Sequence, residues 1–401
     1  MSGCSKKGEF KIITIFKPVF AGFVLLCVFT LTAFGAVHVD GHFDVRIHMD
    51  RVVESNETKV YEAYSDSHFT AELFLGKGFS ISAELLVEGE PAGHQHEHGD
   101  DQVDPPPASG LFFTDHTVSL DGFALNFARG FGNKNAAFYG GKFTPVVGLD
   151  VHDFPGVYSY RAIHEYEIES RIGLGGLLGF DGGGLGRHGI DFSAFAEDTT
   201  IFSNGEQRLR KRDGGVSNTG DLSSFAFSLG GGDFFPLKEG FFADWLSGFS
   251  YRLGYARQAQ GVGNETDEGR FSFSAQGIYQ LTENLSVRSV NEYVRIKNLE
   301  GHSGHDRSHY TSAVGFDWKL WTFACSASLT GNKGASEPDE NLDGSAFSFS
   351  LSRKIGNAKI GAGYRRVKEE GEHTGRIGVL LSFDGGFSSL APGASHDGHV
   401  H

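Results

Sequence analysis

The feature that most constrains this chain is an alternation of apolar with polar or small residues, kept up for roughly ten residues at a time and repeated from about residue 42 to 384. Phe347, Phe349 and Leu351 interleave with Ser348, Ser350 and Ser352, and Phe271, Phe273 and Ala275 with Ser272, Ser274 and Gln276. Cys325, Ala327 and Leu329 alternate with Ser326, Ser328 and Thr330, and Ile377, Val379 and Phe383 with Gly378 and Ser382. A period of two puts one residue set on each face of a strand. Composition narrows what those strands build. Glycine is 57 and phenylalanine 37 of 401 residues, yet only 39% of the chain is hydrophobic, which excludes a helical membrane protein. Aromatic residues at 13% are too many for a disordered chain. A soluble sandwich also alternates, but it buries its apolar face and rarely needs this many similar strands. A Phe, Leu and Val face opposed to a Ser, Thr, Gly and charged face fits an all-β transmembrane antiparallel barrel, apolar toward lipid and polar toward water.

The connections test this independently. Strands are predicted at about 42–50, 63–75, 78–89, 115–130, 135–144, 171–180, 188–198, 222–232, 246–258, 269–280, 285–297, 309–320, 322–332, 345–355, 358–367 and 375–384, sixteen in all. An even count is what bacterial barrels require. Tight gaps at Gly76-Lys77, 131–134, 281–284, Trp321 and Gly356-Asn357 alternate with mostly longer polar ones, the asymmetry of periplasmic turns and external loops. Both termini then fall in the periplasm. Residues 233–245 are long for a turn, but Phe234, Phe235, Phe241, Phe242 and Trp245 suit an interfacial aromatic girdle. The parity change between Leu120 and Phe123 predicts a bulge near Asp121-Gly122, or else a count off by two.

Residues 1–35 carry a different signal. Lys6, Lys7, Lys11 and Lys17 precede an uncharged run from Val19 to Ala36, with Ala33 and Gly35 at −3 and −1 of a cleavage site. This order predicts a secretory signal peptide, with an uncleaved anchor helix as the alternative. Removing four Lys and Glu9 takes the formal charge from −15 to −18, a balance that disfavours nucleic acid or anionic lipid as the main partner. Cys4 and Cys27 leave with the segment, so Cys325 remains alone and no internal disulfide forms.

Gly140-Gly141-Lys142-Phe143-Thr144-Pro145, followed by Gly148, resembles the end of the fifth strand in Gram-negative outer-membrane porins. The overall pattern of 42–384 shares that resemblance, and Phe79–Glu90 is similar to a strand of the siderophore-porin group. Val146-Val147 departs from the family run, and residues 388–401 extend past Phe383 and Phe387, where porins end on an aromatic residue. The resemblance implies a barrel over 36–387, a third loop at 146–169 folded inward as a constriction, a His-containing tail over 388–401, a location in the outer membrane and assembly as a trimer.

On that implication the loop contributes Asp150, Asp153, Arg161, Glu165, Glu167 and Glu169, besides His152 and His164. Alternation assigns Arg46, Lys142, Arg252, Lys319, Lys359, Arg365 and Arg376 to the lumen wall. Acid on a loop facing base on a wall sets up a transverse field that filters ions; simple solvated lumen charges are the competing interpretation. His94, His96 and His98, beside Asp100, Asp101 and Asp104, are candidate ligands for a transition metal, as are His302, His305 and His309 and the tail's His396, His399 and His401. Spacing of i, i+2 in a loop preorganises no tetrahedral site, which favours plain solvation. Arg208–Arg212 could pair with lipopolysaccharide phosphates or remain a solvated loop, and Gly182–Gly186 lacks the Lys and helix of a phosphate loop.

The function expected is passive diffusion of small hydrophilic solutes or ions, with outer-membrane lipid and lipopolysaccharide around the barrel and no cofactor. A selective channel for a metal chelate or siderophore is the alternative within transport. A non-channel adhesin or metal-binding β-protein is the alternative outside it. No Ser-His constellation at recognisable spacing suggests an enzyme.

Overall fold

The computed structural model describes residues 37–55, 60–89, 111–113, 116–149, 154–158, 166–181, 186–198, 215–232, 249–261, 263–334, 343–369 and 372–389. The predicted signal peptide, the girdle segment 233–245, the metal candidates His94, His96 and His98, the run 208–212 and the tail 390–401 lie outside them.

Among the described residues seventeen strands follow one another: β1 (His38–Glu54), β2 (Tyr61–Gly76), β3 (Phe79–Gly89), β4 (Leu111–Phe112), β5 (His116–Phe131), β6 (Lys134–Phe143), β7 (Arg171–Asp181), β8 (Arg187–Ala196), β9 (Ser224–Gly231), β10 (Ser250–Gln258), β11 (Glu268–Thr282), β12 (Leu285–Lys297), β13 (Asp306–Trp318), β14 (Trp321–Lys333), β15 (Gly344–Ile355), β16 (Ala358–Glu369) and β17 (Glu372–Ser388). The two-residue β4 pairs parallel to the start of β2 and stands apart from the rest. The other sixteen pair antiparallel with their neighbours, and β17 pairs back onto β1 from Asp40↔Ser388 to Glu54↔Gly375, closing the ring. Closure satisfies every wall strand on both edges, which a sheet in hydrocarbon requires.

Register carries the alternation around the ring. The outward row Phe316↔Phe323↔Leu351 is exposed, and the next row over, Gly315↔Ala324↔Ser350, is inward and buried. The bulge forms where parity predicted it: β3 pairs Glu84 with Gly122 and Leu85 with Leu120, leaving Asp121 without a register partner. β6 is disturbed at Gly141, whose φ of 141° lies where only glycine is comfortable; a Cβ there would collide with the Phe123 carbonyl oxygen.

One wall assignment is corrected. Lys319 was expected on a strand running to residue 320, but β13 ends at Trp318, paired directly with Trp321. Lys319 is the first of two turn residues, with φ of 56°, because a tight hairpin demands positive φ at that position. Lys142 pairs with Phe123 and Ile172. Phe123 is on the exposed apolar face, but Lys142 itself is buried beside the irregular Gly141. Its Nζ sits 2.9 Å from Asp198 Oδ2 in a buried ion pair.

Candidate functional site

The inward face supplies the site. Arg46, Arg252, Lys359, Arg365 and Arg376 occupy inward positions, in register with Asp66, Ser274, Ser382, Ser348 and Val52 respectively. Most are held by neighbours. Arg376 Nη1 lies 2.9 Å from Glu62 Oε2, and both side chains are buried. Arg46 reaches Asp44 at 2.5 Å and Asp66 at 3.9 Å, and His68 bridges Asp66 at 3.3 Å and Glu84 at 3.5 Å. Inward acids thus gather on β1 to β3, so base on the wall facing acid on the loop does not describe the whole field.

The described parts of 144–170, between β6 and β7, touch that inward face at widely separated strands. The guanidinium of Arg252 on β10 donates to the Gly148 carbonyl at 2.7 Å, and Ser272 Oγ on β11 donates to the Val147 carbonyl at 2.5 Å. Glu292 on β12 is a triple acceptor: the Leu149 N–H donates to it at 2.8 Å, Tyr166 OH at 2.7 Å and Ser274 Oγ at 3.0 Å. Arg270 Nη1 on β11 donates to the carbonyls of Tyr166 and Glu167 at 2.8 and 3.1 Å. On the opposite flank, the Val157 N–H donates to Ser350 Oγ on β15 at 3.2 Å. The Asp50 carboxylate on β1 accepts from Tyr158 OH at 2.8 Å and from Tyr64 OH at 3.0 Å. Ser170 Oγ donates to Asp121 at 2.9 Å, occupying the carboxylate that the bulge turns out of register.

Apolar contacts follow the same path. Leu149, Phe154 and Tyr166 pack with Val290, Val294 and Ile296 of β12, Leu299 and Ala313. Val147 and Ile168 pack with Phe195, Ala226 and Ala256. Val157 and Tyr158 pack with Leu380 on β17. The simple rule of polar inward therefore fails on β12, whose inward row is largely apolar because it covers the segment instead of facing water.

Of the six loop residues expected at a constriction, Glu167 is partly buried and Glu169 exposed, while Asp150, Asp153, Arg161 and Glu165 lie outside the described residues. Glu292, Asp50, Tyr158 and Tyr166 were not singled out by sequence reasoning. Glu292 did carry a signal, as a lone acid in an apolar inward row between Val290 and Val294. His305, just before β13, and His309, on it, are buried, with His309 Nδ1 3.1 Å from Thr330 Oγ1, and His302 is exposed; among the described residues no three His, Cys, Asp or Glu side chains form a metal cluster.

A closed ring of sixteen antiparallel strands with an apolar exterior and a charged interior defines the fold class of Gram-negative outer-membrane porins. OprB of Pseudomonas putida superposes with a TM-score of 0.58 at 9% identity, over 91% of this chain and 97% of that one. OmpF of Salmonella typhi, in complex with daunomycin, superposes with a TM-score of 0.50 at 13% identity, over 86% and 97%. No protein-family model matches the sequence, and no curated protein does.

Proposed function

We propose that the protein is an outer-membrane porin whose water-filled barrel passes small hydrophilic solutes and ions by diffusion, narrowed by residues 146–169 lying across the lumen. The observation that carries this is one segment bonded to inward side chains of β1, β10, β11, β12 and β15, strands on different sides of the same ring. In this reading residues 1–35 direct export, and Asp150, Asp153, Glu165, Glu167 and Glu169, with Arg161, border the narrowed passage. Asp44, Asp66 and Glu84 on the β1–β3 wall are paired with Arg46 and His68, so the loop acids set the preference, which is for cations. No step of chemistry is involved; excluded volume, continuous water and fixed charge do the work. Homotrimeric assembly belongs to the same proposal, on the porin likeness.

Vesicles containing the refolded protein should swell in an isotonic small sugar and not in a large dextran; equal rates with both, or none, would defeat the diffusion claim. Asn or Gln at Asp150, Asp153, Glu165 and Glu167 should move the zero-current potential in a salt gradient toward the anion side. An unmoved potential would remove these residues from the passage.

A further inference from the structure

The barrel's short-turn end carries an aromatic and basic platform that the channel does not use. The chain has three tryptophans, and two of them, Trp318 and Trp321, form a register pair flanking the β13–β14 turn. Both indoles are exposed on the outer face, and Leu320 between them is 54% exposed. Lys319 Nζ lies 5.6 Å from the Trp318 ring centroid and the Arg353 guanidinium carbon 5.2 Å from that of Trp321. Arg353 is Trp321's cross-strand partner on β15, so sequence-distant turns converge.

The platform is tied laterally. The Lys319 N–H donates to the Asn284 carbonyl at 3.0 Å and the Lys354 N–H to the Leu320 carbonyl at 2.8 Å, joining three adjacent turns. Asp317, the acid beside Trp318, faces inward and is engaged by Arg288 at 3.3 Å and Thr322 Oγ1 at 2.6 Å. It leaves the outer cations uncompensated from that side, while Glu283 in the adjacent turn offsets part of their charge. Two exposed cations on one rim run against a chain of net charge −15.

Short turns face the periplasm, so this rim stands at the headgroup level of the inner leaflet, where indoles settle. We propose that Trp318–Trp321 with Arg353 is a binding site for the headgroup phosphate of an acidic phospholipid. Guanidinium and ammonium groups donate charge-assisted hydrogen bonds to a phosphate, and their placement over the indoles reduces the ordering that binding requires. Acyl chains would run along Phe316, Phe323 and Leu351, which continue the exposed face toward mid-membrane. A zwitterionic headgroup brings its own cation toward Lys319 and Arg353 and is disfavoured. The site requires the membrane-spanning barrel but not an open channel, so it stands or falls separately from conduction.

The test is tryptophan quenching. The full-length chain carrying Trp245→Phe, which leaves Trp318 and Trp321 as the only tryptophans and is excited beyond the tyrosine band, is refolded into phosphatidylcholine vesicles. These contain brominated phosphatidylglycerol or brominated phosphatidylcholine at equal mole fractions. Phosphatidylglycerol should be preferred by about fivefold in the fitted binding constant, and the preference should vanish in molar salt. Lys319→Gln with Arg353→Gln should abolish it while quenching by brominated phosphatidylcholine stays unchanged. Equal quenching by the two lipids, a preference that survives salt, or one that survives in the double variant would each overturn the site. Should the double variant not refold, the salt series on the parent chain decides.

Discussion

Glu292 shows how one side chain can organise a site. Its carboxylate accepts three hydrogen bonds in a buried setting, so Glu292→Ala strands the donors of Leu149, Tyr166 and Ser274 at about 1–3 kcal/mol for each left without water. The expected result is a barrel that still forms but shows noisier open-channel current; a quiet record identical to the parent's would deny that Glu292 fixes the segment. Tyr158 and Asp50 make the matching contact on the other flank, and Gly378 permits it, because a Cβ there would collide with both side chains. Gly378→Ala and Tyr158→Phe should therefore raise current noise similarly, and a silent Gly378→Ala would refute that packing. At the long-loop end, Asp267 is held below its ordinary value chiefly by the Gln260 N–H, opposed in part by burial and reinforced by the Arg257 guanidinium. A depressed carboxylate stabilises above its unfolded pKa and loses that contribution as pH falls through its folded value. Hydrogen exchange at the Gln260 amide should thus be unchanged from pH 7 to pH 5 and accelerate, relative to the intrinsic rate, only below the unfolded carboxylate range near pH 4. Acceleration already between pH 6 and 5 would exclude Asp267 as its cause.

Among the elements, the strands were the legible part. Alternation located all sixteen wall strands and the Asp121-Gly122 bulge, because lipid on one side and water on the other impose opposite demands on successive side chains. Parity failed where something other than lipid or water met the wall. Lys319 left its strand because a two-residue turn took it, and the alternation is broken at the irregular Gly141 beside the ion-paired Lys142. The two-residue β4 is too short for any periodicity to register. The resemblance implied a loop over 146–169 but none of its contacts, since those from Tyr158 to Asp50 or Tyr166 to Glu292 span more than a hundred residues and leave no local spacing. Gly141→Ala is the sharpest probe of an element: positive φ and the Phe123 carbonyl both oppose a Cβ, so refolding yield should fall well below that of Gly130→Ala, where no atom stands within 4 Å. Equal yields would mean that the β6 distortion is not built in.

The whole molecule is a wall whose two faces answer to different solvents, and the abundance of Phe and Gly without overall hydrophobicity follows from that division. Phe lies largely outward, as at Phe138, Phe273 and Phe347, while inward positions are given to Ser and charged residues and, where the segment 144–170 approaches, to small ones such as Gly378. A ring closed by β1 and β17 should resist detergent, so unboiled and boiled samples should migrate differently on a denaturing gel. Identical mobility would count against closure. The most direct test of the channel itself is current through a planar bilayer after adding the heat-modifiable form. A water-filled passage gives discrete, long-lived conductance steps that grow in proportion to salt concentration, with a zero-current potential on the cation side. Protein that inserts as a folded barrel and yields no steps in any salt would contradict it.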